Sequence, residues 1–229
     1  MSNKKFIGVL RDITDGGLCI LDTSIQIAEY IPIDLSETNE ALKKIDVSSS
    51  VKLAEYVNCH ILKHNSKVAY GGYLEERTIY KRSTHFNQQD EGSKRNIHLG
   101  IDLWCLAETK VLAVLEGEVH SFKNNTNHGD YGPTIILKHQ IDGVEFFTLY
   151  GHLSLVSIEN IKPGYIFKKG EKIGVLGDSE INGDYPPHLH FQIIKDLQGY
   201  EGDYPGVCSK NNLAFYKANC PDPNLLLKI

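Results

Sequence analysis

The sequence predicts a mainly β fold, a β-rich α+β arrangement of antiparallel sheets with a small N-terminal α/β segment packed on it. Short apolar runs at residues 109–119, 134–139 and 169–177 are rich in β-branched residues and are punctuated by glycines, as strands between tight turns are. The run Pro187-His188-Leu189-His190-Phe191 alternates polar and apolar residues with the period of a strand. Helical spacing is confined to two stretches, both before residue 64.

In chain order, residues 6–10 and 18–21 read as strands flanking an Asp-Gly-Gly turn at 15–17. Residues 37–44 read as a helix with Ser36 as its N-cap. Residues 51–63 read as a second, with Val51, Ala54, Val57 and Ile61 on one apolar face. This first part, residues 1–80, is too small to hold a confident core of its own and is expected to brace or cover the β domain. Residues 81–97 are polar and read as a surface loop. A turn is expected at the Ile161-Lys-Pro-Gly stretch, and loops 121–133 and 178–187 are expected to wall a groove. Residues 196–229, with Pro205, Pro221 and Pro223, read as irregular chain wrapped on the outside of the sheet.

The chemistry is carried by three short motifs: His98-Leu-Gly-Ile-Asp102, Tyr150-Gly-His152-Leu153 and Pro187-His188-Leu189-His190-Phe191. A catalytic zinc takes three protein ligands from imidazole and carboxylate, leaves one position open, and works beside groups that move protons. Two histidines and an aspartate suffice as ligands, and these motifs offer four histidines and an aspartate. On a strand, His188 and His190 point the same way, about 6 to 7 Å apart. That spacing suits one ligand and one base better than two adjacent ligands, without excluding both as ligands. His98 and Asp102 converge if the backbone bends at Gly100. His60, His64, His85, His120, His128 and His139 fit no ligand spacing, although His60 and His64 are four apart on the expected second helix. His128, Tyr131, Asp184 and Tyr185 are candidates for the groove lining.

The ordered set H-x-G-x-D, Y-G-H-L and P-H-L-H-F resembles the lysostaphin-type (LytM) zinc metallopeptidases. The resemblance implies that His98, Asp102 and His190 bind zinc, that His152 and His188 are catalytic and handle protons beside the metal, and that residues 81–229 form the metallopeptidase domain. It implies a peptide amide substrate, such as a peptidoglycan-derived peptide. There is no H-E-x-x-H helix, so no glutamate base is expected. From about residue 33 onward, Gly71-Gly-Tyr-Leu-Glu-Glu-Arg-Thr-Ile-Tyr80, Gly129-Asp-Tyr-Gly-Pro133, Asn182-Gly-Asp-Tyr-Pro-Pro187 and Cys220-Pro-Asp-Pro-Asn224 resemble a subgroup. In that subgroup the domain is often the tail of a protein carrying kinase-like and class III aminotransferase-like domains. Two other readings follow: a non-catalytic, zinc-stabilised module that binds a peptide or partner protein, and an amide hydrolase of metabolism acting with kinase-like or aminotransferase-like partners.

Composition narrows the field. The chain has 229 residues, 41% hydrophobic, enough for one sizeable core. A net charge of −5 with scattered Lys and Arg gives no nucleic-acid signal. No apolar run approaches the roughly 20 residues that span a bilayer. The apolar stretch at 6–10 is too short for a signal-peptide core, so a cytoplasmic address is expected. Cys19, Cys59, Cys105, Cys208 and Cys220 share no C-x-x-C spacing and read as free thiols.

Overall fold

A computed structural model describes residues 2–13, 16–82 and 91–229. The expected turn at 15–17 and the polar stretch 81–97 therefore lie partly outside the described residues, as does His85. Twelve strands are described: β1 (Tyr30–Pro32), β2 (Val68–Gly71), β3 (Ile97–His98), β4 (Ile101–Trp104), β5 (Lys110–Leu112), β6 (Gly117–Asn125), β7 (Gly132–Ile141), β8 (Val144–Gly151), β9 (Ile166–Phe167), β10 (Lys172–Val175), β11 (His188–Ile194) and β12 (Val207–Cys208). The helices are α1 (Asn3–Asp12), α2 (Ser50–Lys63), α3 (Val156–Glu159), α4 (Leu213–Asn219) and α5 (Asn224–Leu227).

Eight strands make one sheet in the order β1-β2-β4-β11-β8-β7-β6-β9, antiparallel except for the β1–β2 pair. The fold is thus mostly β with antiparallel sheets. The small sheets β10-β5 and β12-β3 flank it. β11 lies near the middle and is buried along its whole length. Its alternate residues serve two faces, as the strand period requires. Leu189, Phe191 and Ile193 enter an apolar core with Leu103, Ile135, Phe146, Tyr150 and the α1 residues Phe6 and Leu10. On the opposite face two smaller clusters form. One joins Trp104, Tyr185 and Val207 to Leu53, Val57 and Ile61 of α2; the other joins Leu99, Tyr131, Leu149 and Tyr204.

The structure corrects several expectations. Residues 6–10 are helical: Ser2 caps α1 by accepting from the Lys5 N–H at 3.4 Å, and Phe6 and Leu10, one turn apart, are the buried pair. The β-like composition of Phe-Ile-Gly-Val-Leu is overridden by that i, i+4 anchor on the sheet. Residues 18–21 contribute only an isolated bridge, Leu21 to Val111. Only Leu42–Lys44 of the expected 37–44 helix forms a single tight turn. Local side-chain bonds compete with the helix there, since Asn39 accepts from the Ala41 N–H and donates to the Asp34 carbonyl, and the Ser36 hydroxyl pairs with Thr38. The second helix stands as α2, but its buried stripe is Leu53, Val57 and Ile61, with Val51 66% exposed. The loop expected at 121–133 is shorter, because β6 and β7 stay paired to Asn125 and Gly132. Residues 196–229 contain β12, α4 and α5 in place of purely irregular chain. Residues 30–32 and 68–71 extend the main sheet beside β4. No helix among the described residues is long and apolar enough to cross a membrane.

Phe6 is fully buried, with its ring centroid 5.9 Å from that of Phe146. Phe6→Ala is expected to lower unfolding free energy by about 3–5 kcal/mol in a urea titration. A loss below about 1 kcal/mol would place this ring at the surface, outside the core.

Candidate active site

Strand register builds the site. On the β11–β4 pair His190 lies directly opposite Asp102 and His188 opposite Trp104. Facing residues of an antiparallel pair stand about 4.5–5.5 Å apart on the same side. The chain turns between β3 and β4 at Gly100, where an added Cβ would lie 2.6 Å from His190 Cε1, so only glycine lets the His190 ring enter. That turn brings His98 Nε2 to 3.2 Å from Asp102 Oδ1. His152 follows β8 at φ +62°, a left-handed conformation that non-glycine residues rarely adopt and that is found at functional sites. The turn brings the His152 ring to 4.1 Å from that of His188.

Each of the four imidazoles has one ring nitrogen committed to an oxygen. His98 Nδ1–H donates to the Gly72 carbonyl at 3.0 Å, His152 Nδ1–H to the Asn182 carbonyl at 2.8 Å, and His188 Nδ1–H to the Pro186 carbonyl at 2.8 Å. His190 uses the other nitrogen: Nε2–H donates to Gln192 Oε1 at 2.9 Å. Gln192 is itself oriented, since its amide donates to the Pro205 carbonyl and to Cys220 Sγ, both at 3.2 Å. A carbonyl only accepts, so the remaining nitrogen of each neutral ring carries a lone pair. The lone pairs of His98 Nε2 and His190 Nδ1 lie 2.9 Å apart, and each is 3.2 Å from Asp102 Oδ1.

Three acceptors converging at these distances, with no proton of their own between them, could hold a cation. His98, Asp102 and His190 are a group that could hold a metal ion, all of them buried. The edges of this triangle fit zinc well, since tetrahedral ligands at about 2.0–2.1 Å stand about 3.3 Å apart. Asp102 Oδ2 is occupied by Arg77 Nη1 at 2.6 Å. Burial opposes the Asp102 charge, but the Arg77 guanidinium beside it helps hold its carboxyl well below the usual range.

His188 Nε2 lies 3.9 Å from Asp102 Oδ1, and its ring stacks on Trp104 at 3.9 Å between centroids. Burial pushes the His188 imidazole down to about 4, against the opposing charge of Asp102. His152 is held well below its ordinary value chiefly by burial, with the neighbouring His188 and His190 imidazoles acting in the same direction. Both therefore stay neutral at pH 7, ready to accept a proton. Above them opens a cavity of about 310 Å³ whose lining includes Tyr131, Tyr185, Tyr200 and a mixed set of charges, Arg95 and Lys123 with Asp130 and Asp203.

All five residues picked out in the motifs are brought together. Of the suggested groove residues, Tyr131 and Tyr185 line the cavity, whereas His128 is exposed and Asp184 accepts from the Ser50 hydroxyl at 2.6 Å. His60 donates to the Pro32 carbonyl and His64 to the His60 carbonyl, apart from this centre. The described cysteines are free thiols. Sequence reasoning missed Gln192, Trp104 and Arg77. Gln192 and Trp104 were accessible through the two-residue period, being next in line on the faces of His190 and Asp102. Arg77 lay inside a quoted motif without an assigned task.

Residues 96–202 match the family described as Peptidase family M23, a little under half of the chain. Over 95 residues the chain is 34% identical to an uncharacterized metalloprotease of Haemophilus influenzae, covering 42% of this chain and 18% of that protein. The chain thus spans less than a fifth of the length of that curated relative. Among solved structures it is similar to the catalytic domain of lysostaphin from Staphylococcus simulans, at 24% identity and a TM-score of 0.40, covering 72% of this chain and 97% of that one. It is also similar to a zinc containing peptidase from Vibrio cholerae, at 23% identity and a TM-score of 0.35, covering 48% and 34% of the two chains. The M23 match takes in His98, Asp102, His152, His188 and His190 together, and so supports the metallopeptidase class for this segment.

Trp104 is the sole tryptophan, so its emission reports on His188. In metal-free protein, emission is expected to hold steady from pH 8 to 6 and to change only toward pH 4, where the imidazolium forms against the indole. Because the folded value lies below the unfolded one near 6.5, the neutral ring contributes stability that is present above about pH 6.5 and lost as the pH falls toward 4. A midpoint near 6.5 in the emission titration would place the ring in water and contradict the buried stack.

Proposed function

We propose that the protein is a zinc-dependent endopeptidase that hydrolyses a peptide amide bond with an activated water. The observation that carries this reading is the convergence of the His98, His190 and His188 ring nitrogens on one Asp102 oxygen, with the His152 ring against that of His188, in the lining of one cavity. His98 Nε2, Asp102 Oδ1 and His190 Nδ1 would hold the zinc, which supplies Lewis acidity to lower the pKa of a water and polarise a carbonyl.

His152 and His188 are the catalytic pair. Both rings are neutral at pH 7 and their Nδ1–H groups are tied to backbone carbonyls; His188 Nε2 stands 3.9 Å from Asp102 Oδ1, and the His152 ring lies against that of His188. One accepts the proton of the attacking water; the pair then delivers a proton to the departing amine. The stack of His188 on Trp104 and the contact of His152 with Tyr185, at 5.3 Å between ring centroids, fix both rings. Orientation of this kind makes proton transfer effective without movement at the moment of reaction.

The resemblance to lysostaphin-type enzymes and the M23 match support a peptide substrate, with peptidoglycan-derived peptides as the class to try first. The mixed charges in the cavity lining suit a polar peptide that carries both amine and carboxylate groups. The narrower resemblance to fusion-protein tails supports small amides of metabolism as a second class, with kinase-like or aminotransferase-like proteins as partners.

The test is mass-spectrometric cleavage of muropeptides, glycine-rich peptides and a mixed peptide library by the zinc-loaded protein. Products should disappear on chelation, and His188→Ala should retain zinc while losing about 10²–10⁴-fold in rate, the contribution of one general acid–base group. Full zinc occupancy with no product across the panel would overturn the peptidase reading in favour of a binding module.

A further inference from the structure

We infer that Arg77 is the positioning residue of the metal centre: it takes Oδ2 of Asp102, so that Oδ1 alone is presented to the metal. With Gly72, it makes residues 72–77 part of a centre whose ligands all come from the segment matched to family M23. The inference rests on the reading of His98, Asp102 and His190 as zinc ligands.

The two oxygens of Asp102 have separate partners. Oδ2 accepts from Arg77 Nη1 at 2.6 Å, and Oδ1 faces the two imidazole lone pairs. A carboxylate with both oxygens free can bind a metal through either one or both; with one oxygen held by a guanidinium it offers a single direction. Arg77 is 3% exposed, and a buried guanidinium is tolerated only when its charge is matched. Glu75 supplies that match, accepting from Arg77 Nε at 2.5 Å while its other oxygen accepts from the Leu35 N–H at 2.9 Å. The relay therefore runs from the N-terminal part of the chain through Glu75 and Arg77 to the ligand carboxylate. At its base, Gly72 has φ +106°, and a Cβ there would lie 2.0 Å from Arg77 Nη2 and 2.9 Å from His98 Nδ1. One glycine thus admits the guanidinium and offers the carbonyl that orients His98.

The charge count agrees. Arg77 cancels one of the two carboxylates, leaving one net negative charge among Glu75, Arg77 and Asp102, suited to a divalent cation.

The test compares the full chain with R77K, R77Q and E75Q, measuring zinc affinity by competition with a chromophoric chelator and the visible absorption of the cobalt-loaded proteins. Zinc binding is expected to weaken about 10-fold in R77K and about 100-fold in R77Q, the range typical of lost outer support to a metal ligand. The cobalt bands should weaken as Asp102 Oδ2 joins the coordination and raises its number. If R77Q does not fold, R77K and E75Q carry the comparison, with E75Q showing the smaller loss. Folded R77K and E75Q that bind zinc within about twofold of the parent, with unchanged cobalt spectra, would overturn the positioning role. A merely structural Arg77 would lower the unfolding midpoint and leave both readouts in place. Failure of the parent itself to bind zinc would remove the metal reading and this inference with it.

Discussion

The outward nitrogen of each imidazole is tied to an oxygen, and the rest of the site depends on that tie. Gly72, Asn182 and Pro186 carbonyls and the Gln192 side chain each hold one ring N–H. The free nitrogens of His98, His190 and His188 are thereby left within 3.9 Å of one carboxylate oxygen, with the His152 ring against that of His188. Without these bonds each ring could present either nitrogen, or rotate to hydrogen-bond its neighbours, and the cluster would close on itself. His190 differs from the others in presenting Nδ1, and Gln192, two residues along the same strand, is the reason.

Such a cluster is costly to bury, and the sheet offsets that cost by placing it between two apolar clusters. Trp104, Tyr185 and the α2 residues lie on one side; Leu99, Tyr131 and Tyr204 lie on the other. Leu189 and Phe191, between and beyond the two site histidines of β11, anchor the strand in the main core on the opposite face. Shifting β11 by one residue would exchange its faces, burying imidazoles in the main core, so the register of the strand and the geometry of the site are specified together. The left-handed His152 is strain of the kind that persists only where the surroundings over-determine it, here through its N–H to the Tyr131 carbonyl and the Gly177 N–H to its own carbonyl.

That five residues would be brought together was legible in the sequence from their types and spacing, a carboxylate four residues after a histidine across a glycine and two histidines at strand period, while their separate roles came from the family resemblance. The central strands were legible for a similar reason, since alternation survives wherever two faces differ. Arg77 was not, because its contact with Asp102 crosses 25 positions and no local pattern announces it. The carbonyls of Gly72, Asn182 and Pro186 were not, because every residue has one. The helix α1 was misread since its composition favours a strand, and only the packing of Phe6 and Leu10 decides otherwise. Local side-chain bonds at Asn39 likewise outweighed a helical pattern over residues 37–44.

The most direct measurement is the tautomeric state of the four site histidines, read from long-range proton–nitrogen NMR of the metal-free protein at pH 7 and again with one equivalent of zinc. The account predicts Nδ1–H tautomers for His98, His152 and His188 and an Nε2–H tautomer for His190, with zinc shifting His98 Nε2 and His190 Nδ1 and leaving all four outward protons in place. An Nδ1–H tautomer at His190, or zinc-induced shifts at His152 and His188 in place of His98 and His190, would contradict it.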